Sequence, residues 1–515
     1  MFYVPLYIEA LRSRPALTFW GAMLAQAALW LAVPLLFYAA PPSELARLLA
    51  VGHALPLSGD FGPPLAYWLA EIAFRVAGLL GVYGLAQLCV IGTYWCVFAL
   101  GREIVGASHA AMAVLLMVGI LVFTVPTPNF GPPILAMALW AAVLLFCWRA
   151  VIKGRRRSWY PLGGAAALLL LTSDAALILL GTLALFTAMS ARGRAVLGAL
   201  EARIVAAGLA VVLVAHLFWL NGAGEPLAAT LQRLREPAMA GANTAAWLRL
   251  LATLVLAHSG LAILVVLASG WPRSGASPAS AIVRPPVAPS AITFVKVFAL
   301  LPALLATAVA VVIGQRLPIG GAAPLLVLSG LAVVVAAGDS IALRQQRTLG
   351  FAWAGLLVVP ALLIPAAIVL LPWISGSDLA IAQPAAAMGR FFADSFERRT
   401  GHPLAVVSGD ARIAALVALT APSRPQVYFA TDPEHSHWVT AQDISEKGAV
   451  VVWSAAPTTP EPPPAIKARF PDLIAEVPET FERPVRGRLP PLRIGWGMIR
   501  PASGPAPPAP PPAPH

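Results

Sequence analysis

The stretch "PPSELARLLAVGHALPLSGDFGPPLAYWLAE", residues 41–71, is a polar insert between two long apolar runs. It carries acids, bases, a histidine and prolines, whereas the runs on either side are mostly hydrophobic. Charged groups are costly inside a bilayer, and so are backbone groups without hydrogen bonds. The insert therefore predicts a loop that lies at a membrane surface, with a membrane-crossing helix on each side.

The composition of the whole chain agrees with a membrane protein. Of its 515 residues, 59% are hydrophobic and only 11% are charged, and the mean hydropathy is +0.79. A soluble protein would carry about 25% charged residues. The apolar runs are long enough to cross ~30 Å of hydrocarbon as helices, and they are continuous rather than alternating, which favours helices over a β-barrel.

We expect a polytopic α-helical membrane protein with about eleven transmembrane helices. The predicted spans lie near 17–40, 79–100, 108–125, 130–149, 159–172, 174–191, 203–220, 245–269, 294–314, 320–338 and 350–372. With the N-terminus in the cytoplasm, the inner loops contain most of the basic residues, as the positive-inside rule requires. The opposite loops contain only Arg47, Arg75, Arg233, Arg235 and Arg316. An odd number of spans places the C-terminus outside.

The last quarter of the chain has a different composition. Residues 373–500 contain the strand-like runs "PLAVVSGD", "PQVYFA" and "GAVVVW" and the helix-like run "MGRFFADSFERR". They predict a small periplasmic α/β domain after a transmembrane domain over residues 1–372, whose outward interfacial loop is 41–78. Residues 501–515 are Pro-rich and predict a disordered tail.

Several classes of function lack support. The net charge of +12 follows the membrane topology, so it does not indicate nucleic-acid binding. Cys89, Cys96 and Cys147 all fall in apolar runs and are predicted to be small buried hydrophobic residues. No phosphate-binding loop, zinc-protease motif or Cys/His cluster appears in the sequence.

Glu44 and Arg47 are the first candidates for chemistry in the insert. They lie one turn apart on a predicted amphipathic helix. The simpler interpretation is a surface ion pair worth a few tenths of a kcal/mol. The functional one is a carboxylate general base at the membrane interface, where burial would raise its pKa toward a useful range. In the same loop, His53 and Asp60 are candidates for a substrate or metal site.

The other outward ends supply three more candidates. Asn129 and Asp174 lie at the predicted outer ends of helices, and Arg233 is a rare positive charge on that side. Arginine holds phosphates and carboxylates through paired hydrogen bonds, which makes Arg233 a candidate phosphate ligand, with a solvated or lipid-facing charge as the alternative.

The order of these segments resembles that of the bacterial family 39 glycosyltransferases of the GT-C superfold, relatives of protein O-mannosyltransferases and lipid A aminoarabinose transferases. In that family, an acidic motif in the first outward loop precedes a segment like "GPPLAYWLAE", and counting back from it places the catalytic acid at Glu44. "FALGREIVGASHAAMAVLLM", the stretch from "FGPPILAMALW" to "LTSDAALILL" and "LRIGWGMIRP" are similar to later family segments. Arg47, Gly62 and Ser173 differ from the residues usual there.

The resemblance implies a glycosyltransferase that takes a sugar from a polyprenyl-phosphate donor at the periplasmic face. The acceptor would be a lipid, glycan or protein of the cell envelope. The protein itself would lie in a bacterial inner membrane. Glu44 would then be the base for attack with inversion, and Asp60, His53, Arg47, Asn129, Asp174 and Arg233 would bind substrate. A divalent metal is left open. A catalytically degenerate protein that binds lipid-linked glycan or scaffolds a complex, and a lipid or glycan transporter, are the alternatives.

Overall fold

The computed structural model describes residues 9–56, 62–223, 240–269, 282–313, 319–341, 346–377, 379–429, 436, 438–455 and 461–502. The chain divides into two compact units. We call residues 1–36 and 57–365 the membrane unit, and residues 37–56 and 366–515 the sheet unit. The stretch 41–56, which the sequence assigned to the membrane domain, thus belongs to the unit that contains the sheet.

Helices make up most of the described chain. In order they are α1 Pro15–Phe37, α2 Ser43–His53, α3 Leu65–Val105, α4 Ala107–Met117, α5 Pro132–Cys147, α6 Trp159–Leu170, α7 Ala176–Met189, α8 Ala191–Leu197, α9 Leu200–Ala223, α10 Ala240–Ala257, α11 Ser259–Ser269, α12 Pro289–Ile313, α13 Ser329–Ala336, α14 Gln346–Ile374, α15 Ala385–Thr400, α16 Ala411–Thr420, α17 Ala441–Lys447 and α18 Pro464–Arg469. The strands are β1 Ile282–Val283, β2 Ser340–Ile341, β3 Val406–Gly409, β4 Gln426–Tyr428, β5 Ala449–Ser454, β6 Ile474–Ala475, β7 Glu479–Phe481 and β8 Leu492–Ile499.

The chain is a multi-pass membrane protein, but the predicted count of eleven spans is not confirmed. Among the described residues, six helices are long and apolar enough to cross a membrane, or up to eight if each of two bent pairs forms one span. The predicted spans near 108–125 and 159–172 contain only short helices, the longer of which has 12 residues. The apolar helix in the span near 320–338 is Gly321–Ala336, also shorter than the helices that are long enough to cross. Twelve residues rise about 18 Å, well short of the hydrocarbon thickness. The odd number of spans, from which an outside C-terminus was predicted, is therefore not confirmed either.

Pro63 and Pro64 stand directly before α3, and proline suits the start of a helix. The helix begins at Leu65, directly after Pro64. It then breaks at Ala77 and Gly78, where Gly78 has φ +59°, a backbone conformation that side chains with a Cβ rarely adopt. The break separates a segment next to the polar insert from the longer segment that was predicted as a span.

The short apolar helices lie inside the membrane unit. Helix α4 packs against α3 and α13, and α6 packs between α5 and α9. At the end of α4 the chain passes so close to α11 that an added Cβ at Gly119 would lie 2.6 Å from the backbone nitrogen of Leu261. The three cysteines are free and buried, as expected. Apolar residues in α4, α6 and α13 thus face protein as well as lipid, so hydropathy alone does not show which of these segments cross the membrane.

The sheet unit contains a six-stranded mixed sheet with the strand order β4-β3-β5-β8-β6, and β7 also pairs with β8. Strands β3, β4 and β5 are parallel, with α16 connecting β3 to β4, whereas β8 runs antiparallel to β5. The predicted strands "PLAVVSGD", "PQVYFA" and "GAVVVW" correspond to β3, β4 and β5, and "MGRFFADSFERR" to α15. These four local predictions are confirmed.

Helix α2 is an integral part of this unit. Its apolar face includes Leu45, Leu48 and Leu49, which are buried, and the helix packs against α16 and β4. A backbone link supports the same placement, since the amides of Ala39 and Ala40 both donate to the carbonyl of Ile381. The predicted helix is thus confirmed, but its apolar face covers protein where we expected lipid headgroups.

Candidate functional site

Glu44 lies in the first turn of α2 with its side chain exposed. Helix α2 begins after Pro42, and the first-turn position suits a carboxylate because the helix dipole is positive at that end. The neighbouring Leu45 is fully buried, so the helix cannot rotate without exposing its apolar face. Packing therefore determines the direction in which Glu44 points, and leaves its carboxylate accessible to a substrate.

Arg47 does not form the predicted ion pair with Glu44. Within the described residues Glu44 has neither a hydrogen bond nor a salt bridge, while the guanidinium carbon of Arg47 lies 5.8 Å from the centroid of the Phe429 ring. This distance is typical of a cation–π contact. The simpler interpretation of the pair, a surface ion pair, is therefore wrong, and Arg47 instead links α2 to the segment after β4.

His53 lies in the last turn of α2 and is half-buried. Nine residues separate it from Glu44, which corresponds to about 14 Å along the helix axis. The structure therefore does not bring these two side chains together at one reacting atom. Asp60 and Arg233, the other two predicted ligands on outward loops, lie outside the described residues.

Asn129 belongs to a turn segment of the membrane unit, between the 3-10 turn at 121–123 and α5. Its amide oxygen is buried and has no hydrogen-bond partner among the described residues. Gln26 and Gln87 anchor the segment: Gln26 donates to the carbonyl oxygen of Phe123 at 2.7 Å, and Gln87 donates to the hydroxyl of Thr127 at 3.4 Å. Asn129 thus lies in an anchored segment, and its amide oxygen is an acceptor without a donor among the described residues.

Gln87 adds a second spare acceptor to the same segment. Because the Thr127 hydroxyl donates to the carbonyl of Thr124, Gln87 must donate its amide N–H, which leaves its oxygen without a partner among the described groups. Buried acceptors without donors are uncommon in native structures. Sugar hydroxyls are donors of the type that such oxygens accept.

Asp174 lies in the turn between α6 and α7, opposite a buried histidine of α9. The distance from its Oδ1 to Nε2 of His216 is 3.5 Å, and the His216 side chain is fully buried. Burial raises the pKa of the Asp174 carboxyl, and the His216 ring opposes that shift. The side chain remains 46% exposed, so solvent screens part of both effects. Asp174 is therefore both held by a neighbour and accessible.

The same end of the membrane unit contains a pair that the sequence analysis missed. Arg75 donates to Glu71 at 2.9 Å, and the Glu71 side chain is only 2% exposed. The amide of Leu65, at the start of this helix, donates to the carbonyl of Leu171, which places the helix start beside the Asp174 turn. The i,i+4 spacing of Glu71 and Arg75 was visible in the sequence. The approach of His216 to Asp174 was not, because more than 40 residues separate them.

The predicted residues therefore fall into two groups. Glu44, Arg47 and His53 belong to the sheet unit, while Asn129 and Asp174 belong to the membrane unit. No hydrogen bond or ion pair joins Asn129 to Asp174 in the described part of the chain. The described residues also contain no group of three or more His, Cys, Asp or Glu side chains placed to hold a metal ion.

Comparison with known proteins identifies the architecture. Residues 62–219 match the family model for dolichyl-phosphate-mannose-protein mannosyltransferase. The crystal structure of ArnT from Cupriavidus metallidurans bound to undecaprenyl phosphate aligns with 94% of this chain and 98% of that chain, with a TM-score of 0.55 at 14% sequence identity. The chain has the GT-C fold. The resemblance drawn from its motifs is thereby confirmed.

Two further solved structures align with the chain at lower TM-scores. The apo form of the same ArnT has a TM-score of 0.48 at 14% identity, again over 94% of this chain and 98% of that chain. The apo oligosaccharyltransferase of Archaeoglobus fulgidus has a TM-score of 0.43 at 12% identity, over 86% of this chain and 70% of that chain. A search of curated protein sequences finds no match.

Proposed function

We propose that this GT-C protein transfers a sugar from a polyprenyl-phosphate donor to an acceptor of the bacterial cell envelope, with inversion at the anomeric carbon. The observation that carries the proposal is the GT-C fold over nearly the whole chain, shared with an ArnT structure bound to undecaprenyl phosphate. The acceptor class, whether lipid, glycan or protein, is left open.

The proposed location is the inner membrane, with the N-terminus in the cytoplasm and the sheet unit in the periplasm. The basic loop between α5 and α6 supports this orientation, because Arg149, Lys153, Arg155, Arg156 and Arg157 lie there in close succession. A lipid-linked donor suits such a protein, since its chain needs the bilayer while its sugar must meet the acceptor at the interface.

In the proposed reaction, Glu44 accepts the proton of an acceptor hydroxyl. The acceptor oxygen then forms a bond to the anomeric carbon, while the bond from that carbon to the phosphate oxygen breaks and the polyprenyl phosphate leaves. The exposed position of Glu44 supports the role, because a base must reach the proton that it removes. Arg233 is the proposed partner of the departing phosphate, whose charge needs compensation.

The remaining predicted residues are proposed to bind and orient substrate. The spare acceptors of Asn129 and Gln87 suit sugar hydroxyls, and Asp174 beside His216 offers a second acceptor at its turn. Arg47, His53 and Asp60 stay proposals for the acceptor side. The described residues contain no group of three side chains that could bind a divalent metal ion. No step of the proposed reaction is therefore assigned to a metal.

The direct test is sugar transfer by the full chain in proteoliposomes that contain a labelled polyprenyl-phosphate sugar. Glu44→Gln keeps the size of the side chain but removes the base, and we expect a rate about 10²- to 10⁴-fold lower. The matched control is Glu397→Gln, an exposed acid on α15 of the same unit. Wild-type activity in Glu44→Gln at unchanged thermal stability would remove Glu44 as the base.

A degenerate, non-catalytic protein is the second candidate, because Arg47 replaces an acid of the family pattern and makes a cation–π contact with Phe429. It predicts that wild type binds the labelled donor and retains it without turnover across a panel of sugars. The transporter alternative has less support: the large cavity of the membrane unit has apolar walls, whereas a path for a charged lipid headgroup needs polar ones.

A further inference from the structure

The membrane unit contains an apolar cavity of about 1040 Å³ that the proposed reaction does not use. Its walls come from the N-terminal halves of α1 and α14 and from α4, α11 and α13.

Part of the cavity wall lies at the protein surface. Two of its lining residues, Leu17 and Phe351, are 64% and 63% exposed. In a membrane protein such apolar side chains contact hydrocarbon. At roughly 30 Å³ per carbon-sized group, the cavity has room for about 35 of them. A space of this size does not stay empty beside a bilayer, because its walls would lose their packing contacts, so lipid chains are the natural filling.

Basic residues accompany the lining segments at one end of the cavity. Arg14 lies within the lining stretch before α1, and Arg347 lies at the start of α14, with its guanidinium carbon 5.9 Å from the centroid of the Phe351 ring. Both side chains are exposed. The charged groups on the same segments are Arg12 and Glu9, so positive charge exceeds negative charge at this end.

A buried arginine stands behind the same end. Strand β1 pairs with β2 through Val283 and Ser340, and Ser340 lines the cavity. Arg284, which directly follows β1, donates to the carbonyl of Gly338 at 2.9 Å and to Asp339 at 3.3 Å. Its side chain is only 3% exposed. Its Nη1 is buried and has no acceptor among the described residues.

We propose that this cavity binds a membrane phospholipid with an anionic headgroup. The acyl chains lie between α1, α4, α11, α13 and α14, and the phosphate lies next to Arg14 and Arg347. The apolar walls and the exposed apolar lining residues select a lipid chain, and the excess of positive charge selects an anionic headgroup over a zwitterionic one. The proposed reaction assigns no role to this cavity.

The test uses the purified full chain in nanodiscs that contain equal amounts of phosphatidylglycerol and phosphatidylcholine, followed by native mass spectrometry of retained lipid. Wild type is expected to retain phosphatidylglycerol preferentially. A basic residue near a membrane surface contributes about 1 kcal/mol, so Arg347→Gln is expected to reduce the preference about five-fold while total retention stays the same. Arg203→Gln, an exposed arginine at the start of α9, is the matched control.

A second variant fills the cavity. Gly21 lines it, and an added Cβ there meets no described atom within 4 Å, so the backbone position of Gly21→Leu has room for a side chain at the cavity wall. It is expected to reduce total retained lipid several-fold. Gly208→Leu is the control, because Gly208 is equally open but does not line the cavity.

Three outcomes would overturn the proposal. Equal retention of the two phospholipids by wild type would remove the headgroup selectivity, and unchanged retention by Gly21→Leu would place the lipid elsewhere. Displacement of phosphatidylglycerol by added polyprenyl phosphate, abolished in Gly21→Leu, would make the cavity part of a donor site. None of these results depends on sugar transfer, so the proposal stands or fails separately from the proposed reaction.

Discussion

The packing of α2 onto α16 predicts the effect of Leu49→Ala. Leu49 is fully buried on the face of α2 that packs against α16 and β4. The substitution removes three buried carbons at about 0.8 kcal/mol each. The cavity left behind adds to this loss, so we expect a total of about 3 kcal/mol.

Hydrogen exchange of the full chain in detergent measures this loss where it occurs. If α2 opens from the sheet unit locally, 3 kcal/mol corresponds to about 100-fold faster exchange of the protected amides. The acceleration should appear in both α2 and α16, and α1 should exchange at its wild-type rate. Val477→Ala, at a side chain that is 82% exposed, is the control and should change little.

The result bears directly on Glu44, because the packing of α2 determines where this carboxylate points. Accelerated exchange in α2 alone, with α16 unchanged, would refute the packing between the two helices. It would return α2 to the membrane surface, as the sequence analysis expected.

Three further predictions concern caps, backbone space and charge. Thr440→Ala removes the side chain that caps α17 in a capping box with Asp443, and should lower stability by about 1 kcal/mol in thermal unfolding. Gly409→Ala should lower the free energy of unfolding by more than about 3 kcal/mol, because Gly409 has φ +109° and the new Cβ would lie 1.9 Å from a carbonyl oxygen of β5. Gly401→Ala is the comparison and should lower it less, since no described atom lies within 4 Å of an added Cβ there. Burial raises the pKa of Asp174, so its favourable contribution is present at low pH and is lost as pH rises through the folded-state pKa. As pH rises from about 4 to 7, the melting temperature of Asp174→Asn should therefore rise relative to that of wild type. Parallel plots of melting temperature against pH for the two proteins would contradict this.

The α/β part of the sheet unit was predictable because its signals are local. The runs "PLAVVSGD", "PQVYFA" and "GAVVVW" each combine β-branched residues with turn residues on both sides, and each forms a strand. The start of α3 was equally readable, since Pro63 and Pro64 precede it and proline suits the beginning of a helix. Signals of this kind depend on a few neighbouring residues.

The candidate site was predictable only in part. The sequence singled out Glu44, Asn129 and Asp174, but it predicted a Glu44–Arg47 ion pair that does not form. It also missed His216, which lies 3.5 Å from Asp174. Helical spacing shows which residues share a face, but not which more distant group, such as Phe429, competes for one of them.

The sequence by itself determined that this chain crosses a membrane many times, that a polar insert interrupts its first apolar runs, and that strands follow near its end. Only the tertiary structure decided that α2 belongs with those strands, and that α4, α6 and α13 pack against other helices of the membrane unit. The physical reason is that hydropathy measures how apolar a segment is, and lipid and protein cover apolar residues equally well. Which of the two covers a given helix depends on contacts between residues far apart in the chain.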